Sequence, residues 1–319
     1  MPSSNLTPLW LRNGHVQTLL PKILRHTPKL NLRRERVELQ DGDFIDLDHS
    51  LRCQGPRILI LHGLEGSMDS HYAGPLVEVL EQRGFRPVFM YLRGCSEETN
   101  RLARSYHSGS SDDLHEVLNH LYVKGTPIQG AVGFSLGGNI LLKYLGEQGN
   151  KSLLTAAMAI SVPLHLEMAA KRLTKGASRI YQRYLLNKLR RTWIQKKRQH
   201  QELPDIHVNS LRTLEQYDDH ITAPINGFSN AKTYYSTCSA ANFLKDITVP
   251  TYILLAKDDP FMYPLQQEDY EIPPHVRLEM CAHGGHVGFI AGTWPWRIRY
   301  LLDEYIPDYF EKMHLKHIQ

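Results

Sequence analysis

No stretch of this 319-residue chain approaches the roughly 20 consecutive apolar residues that a helix needs to cross a bilayer. The amino terminus, MPSSNLTPLWLRNGHVQ, lacks a basic start followed by an apolar run, so it does not read as a secretory signal. The four cysteines, Cys53, Cys95, Cys238 and Cys281, lie far apart and form no C-x-x-C pair, which argues against a zinc ribbon or a disulfide framework and leaves free thiols. Internal repeats and low-complexity tracts are missing too. With 42% hydrophobic and 22% charged residues, the expectation is a globular, cytoplasmic protein.

One further absence is local. Residues 171–198 hold eleven lysines and arginines and not one aspartate or glutamate, although the chain as a whole carries a formal charge of only +4. The basic character therefore belongs to one segment and not to the fold. A solvated helical face is the ordinary reading of such a run. Contact with nucleic acid, a lipid surface or an anionic substrate is the alternative.

What the chain does contain is an alternation. RVELQDGDFIDLD, after a partly helical WLRNGHVQTLLPKIL, places two alternating runs around Asp-Gly, which predicts a hairpin. RILILHG is a short continuous apolar run, as a strand buried on both faces requires, and YAGPLVEVLEQRGF follows with helical spacing. Strands RPVFMYLRG, IQGAVGF and LTAAMAISVP then alternate with helices SSDDLHEVLNHLYVKG and GGNILLKYLGEQG. Short loops between them imply right-handed crossovers, hence an α/β fold with a mostly parallel sheet and helices on both faces. From Leu164 to Lys245 the strand signal gives way to basic, helix-prone sequence; it resumes in TYILLAK and VRLEMCA before the amphipathic PWRIRYLLDEYIPDYFEKM. The predicted organisation is a catalytic α/β unit of residues 1–163 and 246–319 with a helical lid inserted at 164–245. Ile180, Tyr184, Leu185 and Leu189 recur at helical spacing and are expected to dock the lid, while QKKRQHQELP reads as a mobile loop.

GFSLGG at 133–138 fits G-x-S-x-G between a buried strand and a helix, the context in which a serine is exposed on a sharp, strained turn. Ser135 is the candidate nucleophile. A serine hydroxyl needs a base within hydrogen-bond reach and a third group to orient that base, and in this arrangement acid and then histidine follow the serine, each beyond a strand. TYILLAK runs into Asp258-Asp259-Pro260, and VRLEMCA runs into HGGHVGF. Asp258, the earlier of the two acids after the strand, is favoured as the acid; Asp259 is the alternative, its place before Pro260 suiting a turn. Of the two histidines, His286 is the expected base and His283 a structural residue. Metal binding at this pair would need further ligands at matching spacing, and Gly284-Gly285 disfavours a helix, so no metal is expected. The backbone N–H groups of Leu136, at the start of a helix, and of Leu64, in the HGLEGS loop, are the candidate oxyanion donors. Cys95 is read as a packing thiol, and His15, His62 and His107 as hydrogen-bonded structural residues.

With these residues in place, the chain resembles the YheT-like α/β-hydrolases, a family of serine esterases related to enzymes that act on fatty acyl esters. The resemblance spans nearly the whole chain through GHVQTLLP, DGDFIDLD, HGLEGS, RGCS, YHSG, GFSLGGN, YQRYLLN, AKDDPFM and HGGHVGF. It implies a charge-relay serine at Ser135, an acid at the DDP step, placed at Asp258, and a histidine at His286. Where relatives read Gly and Pro after RGCS, this chain has Glu97-Glu98-Thr99-Asn100, a departure that bears on substrate preference. The expected activity is a serine carboxylesterase for short- to medium-chain acyl esters, working through an acyl-enzyme without cofactor. Acyl transfer to an alcohol by the same triad is the alternative, and a non-catalytic nucleic-acid or membrane module comes third. The expected partner is a small-molecule acyl ester and not nucleic acid; peripheral contact of the basic lid with lipid stays open, and nothing in the sequence speaks to oligomeric state.

Overall fold

Asp41-Gly42 turns the chain between β1 (Leu32–Glu38) and β2 (Phe44–Ser50), whose antiparallel register sets Val37 opposite Ile45. The computed structural model, which describes residues 9–265, 268, 270–292 and 297–315, joins this hairpin to six further strands. These are β3 (Arg57–Leu61), β4 (Arg86–Met90), β5 (Gly130–Phe134), β6 (Ala156–Ile160), β7 (Thr251–Ala256) and β8 (Val276–Cys281). Their order in the sheet is β1-β2-β4-β3-β5-β6-β7-β8, and every pair from β4 to β8 is parallel. A two-stranded ribbon pairs β9 (Ile290–Ala291) with β10 (Arg299–Tyr300).

Period-two alternation explains how both faces of the sheet are filled. Leu59 and Leu61 face one core under α3 (Ser111–Val123) and α4 (Leu136–Gln148), while Ile58 and Ile60 face another under α2 (Ala73–Gln82). α1 (Gly14–Leu24) precedes the hairpin. The expected alternation, with its mostly parallel sheet, is what the chain adopts.

Between β6 and β7 lie α5 (Leu166–Leu173), α6 (Arg179–Gln199), α7 (Leu214–Tyr217), α8 (Ala223–Ile225) and α9 (Ala231–Cys238). A π-helical turn at Asp218–Thr222 links α7 to α8. This block has its own apolar centre, including Tyr181, Leu186, Leu189, Trp193 and Tyr217. The expected docking stripe on α6 is corrected in part: Leu189 is buried and Leu185 packs against the same cluster, but Ile180 is 70% and Tyr184 50% exposed, and Tyr181 and Trp193 are buried in their place. Helical spacing alone fits both stripes. The choice is made by tertiary partners, for the Tyr181 ring stacks on His15 of α1 and its hydroxyl lies 3.0 Å from His15 Nδ1. The loop reading of QKKRQHQELP is corrected for its first half: α6 continues to Gln199 and Lys196 is buried, its ammonium donating to Asn100 Oδ1 and to the carbonyls of Leu102 and Arg104 at 2.6, 2.8 and 3.0 Å, while residues 200–204 form turns outside any helix.

α10 (Leu301–Lys312) closes the chain over the second core. It begins later than the amphipathic pattern suggested, because Arg299 and Tyr300 are taken into the ribbon. All four cysteines are free, and among the described residues no helix is long and apolar enough to cross a membrane.

Candidate functional site

Parallel strands bring their C-terminal ends to one edge of the sheet, and the loops leaving β3, β5, β7 and β8 meet there. Ser135 sits on the turn from β5 into α4 with φ 51° and ψ −118°, a conformation that non-glycine residues rarely adopt. Its N–H donates to Ile160 O at 2.8 Å, which ties the turn to β6. A side chain at position 137 could not be accommodated, since its Cβ would lie 2.4 Å from His62 O. This closeness is why the motif demands glycine there.

His286 Nε2 lies 3.0 Å from Ser135 Oγ, and His286 Nδ1 lies 2.9 Å from Asp259 Oδ2. Asp258, the acid favoured from the sequence, is not in this chain of contacts. Its Oδ1 accepts the N–H groups of Gly284 and Gly285, both at 2.9 Å, and its Oδ2 is 3.3 Å from His283 Nδ1. The physical reason is that the glycine loop exposes two backbone donors that need an acceptor, and Asp258 points toward them. Asp259 turns inward, where its Oδ1 accepts the Phe261 N–H at 2.8 Å. It is only 3% exposed, and burial raises its carboxyl above the usual range despite the opposing pull of His286. Phe261 stacks on the His286 ring, with centroids 3.9 Å apart and planes 9° from parallel.

The loop that carries His286 is braced by a helix from the other end of the chain. Thr18 Oγ accepts the His286 N–H at 2.9 Å. Gln17 donates to Leu11 O and Ile290 O and accepts from Ile290 N, at 3.0, 3.0 and 2.7 Å. Both side chains are fully buried. Sequence reasoning placed neither at the site; the only signal was that both lie in GHVQTLLP, one of the stretches carrying the family resemblance.

On the opposite side of Ser135, the loop after β3 comes so near that a Cβ on Gly63 would be 3.2 Å from Ser135 Cβ. Leu64 and Leu136 line the same cavity as Ser135. Leu136 opens α4, where an N–H has no partner within the helix. Glu65 stands at φ 51° and is held at four points. Its N–H donates to the Tyr106 hydroxyl at 2.8 Å, and its carboxylate accepts from Tyr106 at 2.9 Å and from Thr192 Oγ at 2.7 Å. Its carbonyl accepts from Lys188 Nζ at 2.9 Å. Thr192 and Lys188 belong to α6, so the helical insertion grips this loop directly. His62 holds it from below: Nδ1 donates to Gly63 O at 2.7 Å, and Nε2 accepts the Leu92 N–H at 3.0 Å. That pairing requires a neutral ring, and burial holds its pKa down at about 4.

The cavity that begins at Ser135 has a volume of about 550 Å³ and runs between the sheet edge and the insertion, past Leu185, Leu189, Tyr217 and Ile221. Thr99 and Asn100 of the divergent loop reach its wall, while Glu98 turns away to pair with Arg36. Cys95 packs against the core with its thiol pushed well up by burial, the inert state expected of a packing residue. His15, His62 and His107 all take hydrogen-bond partners within the fold. Among the described residues no group of three or more His, Cys, Asp or Glu is arranged to hold a metal ion.

Comparison with known proteins agrees with this architecture. A family model described as alpha/beta hydrolase fold matches residues 56–293. The Escherichia coli (strain K12) protein named "Putative esterase YheT" is 43% identical over 290 residues, covering 88% of this chain and 85% of its own. Human "Phospholipase ABHD3" is 29% identical over 309 residues, 92% of this chain and 75% of that protein. A solved structure of the Pyrococcus furiosus esterase Pf2001 superposes with a TM-score of 0.59 over 90% of this chain and 98% of that one, at 14% identity, a likeness of fold.

Proposed function

The chain belongs to the alpha/beta hydrolase family, among relatives of YheT, and from that premise we propose that it is a serine carboxylesterase for short- to medium-chain acyl esters. The observation that carries this reading is the unbroken line Ser135 Oγ, His286 Nε2, His286 Nδ1, Asp259 Oδ2, with separations of 3.0 and 2.9 Å. Ser135 attacks the ester carbonyl as His286 takes its proton. Asp259 accepts the Nδ1–H, fixes the tautomer and stabilises the imidazolium. The N–H groups of Leu136 and Leu64 hold the negative oxygen of the tetrahedral intermediate. His286 then gives the proton to the leaving alcohol, and water activated by the same ring releases the acid from the acyl-enzyme.

A cavity of about 550 Å³ falls within the range of small-molecule sites, and its apolar wall from the insertion suits an acyl chain. In this reading residues 164–245 act as a lid over the ester. The test is hydrolysis of p-nitrophenyl esters of graded chain length by the wild type and Ser135→Ala. Equal rates for the two proteins would overturn the proposal. Adding ethanol to the assay separates hydrolysis from acyl transfer, since the acyl-enzyme accepts either nucleophile.

A further inference from the structure

Two stripes of exposed apolar side chains run side by side on α1 and α6. Leu19 and Ile23, one helical turn apart on α1, are 43% and 76% exposed. Ile180 and Tyr184, one turn apart on α6, are 70% and 50% exposed. The Lys22 ammonium bridges the stripes, 5.1 Å from the centre of the Tyr184 ring, and Lys188 approaches the same ring at 5.4 Å. Lys22, Tyr184 and Lys188 also line the cavity that contains Ser135, so the two stripes lie beside its edge, joined to it through Tyr184 and the two lysines. Apolar side chains scattered singly on a surface need no partner, but four gathered on adjoining helices beside a cavity edge point to one.

The charge beside the stripes identifies the partner. Arg179 and Arg183 are exposed beside Ile180 and Tyr184, and α6 contains no acidic residue along its length. A second copy of the same face would bring like charges together. A nucleic-acid backbone would leave Ile23 and Ile180 without a role. A bilayer bearing anionic head groups offers phosphates to the cations and acyl chains to the apolar side chains, the combination that holds amphipathic helices at an interface. We infer that the α1–α6 face docks the protein on an anionic lipid surface with that edge of the cavity toward the bilayer. The inference rests on the ester-hydrolase reading for the purpose of docking, but not for the docking itself.

The experiment is cosedimentation at low salt with phosphatidylcholine vesicles and with vesicles in which phosphatidylglycerol replaces part of the phosphatidylcholine. The wild type is expected to partition onto the anionic vesicles at least about tenfold more strongly. Ile23→Glu combined with Ile180→Glu is expected to lower that partitioning by about tenfold or more, while hydrolysis of a water-soluble p-nitrophenyl ester stays unchanged. Ser135→Ala is expected to bind vesicles as the wild type does, so failure of the chemistry and failure of the surface read out separately. Absence of wild-type binding to anionic vesicles, or binding that survives the double substitution, would overturn the inference. So would a wild-type dimer in sedimentation velocity that the double substitution dissociates, which would assign the face to a second copy.

Discussion

Asp258 and Asp259 are neighbours with the same side chain, yet one serves the backbone of the histidine loop and the other the imidazole. Asp259→Asn should therefore lower kcat by about ten-thousandfold, because an amide cannot orient and stabilise the imidazolium as the carboxylate does. Asp258→Asn should lower kcat by no more than about tenfold and instead weaken the loop, with a stability loss of about 1–2 kcal/mol for the charge-assisted bonds to Gly284 and Gly285. Steady-state kinetics and urea denaturation of the two variants distinguish the roles, and a reversed ranking would return the relay to Asp258. In the same way His286→Ala should abolish ester hydrolysis while His283→Ala leaves most of it. The order serine, acid, histidine was legible because each residue follows a recognisable strand. Which of two adjacent acids turns inward was not, since it depends on where the glycine loop presents its donors.

Two helices, α1 and α6, hold the site from outside the sheet. Gln17 places three hydrogen bonds in a dry environment, so Gln17→Ala should reduce unfolding free energy by on the order of 2–3 kcal/mol and lower kcat along with it as the His286 loop loosens. Thr192→Val keeps the shape of the side chain but removes its bond to Glu65. The expected result is a kcat lowered by about tenfold with KM and melting temperature little changed, because the loop next to Leu64 loses its register while the core is untouched. A parallel fall in melting temperature would show that Thr192 is merely structural. The periodicity of α1 announced a helix and nothing of this bracing, since its partners at Ile290 lie 273 positions away. On α6 the periodicity supported two stripes equally, and only contact with α1 and the loop after β3 decides which is buried.

At the scale of the whole molecule, four histidines that burial holds at about 4, His49, His62, His71 and His107, make the fold sensitive to acid. His62 and His107 each accept a backbone N–H on a ring nitrogen, from Leu92 and Gly109, and burial holds both at about 4 against an ordinary value of 6.5. As pH falls below about 6.5 the unfolded chain takes up these protons before the folded one does. The stability they contribute is thus intact above that pH and is lost progressively toward 4, at about 2 kcal/mol each between pH 7 and 5. Asp218, pushed up to about 6 by burial, works in the opposite sense and offsets about 1 kcal/mol of this over the same interval. Urea midpoints at pH 7, 6 and 5 should fall accordingly, and His107→Gln should flatten the slope. The bracing of the His286 loop by α1 has a consequence for biosynthesis. During translation the helix at residues 14–24 leaves the ribosome before the strands and loops of the site, but Thr18 and Gln17 find their partners only after His286 and Ile290 have been made. A nascent chain already carrying Ser135 on its turn therefore lacks a positioned base, and such long-range closure is slow. Reactivity of the serine would be withheld from the growing polypeptide until the loop at residues 286–290 has been made.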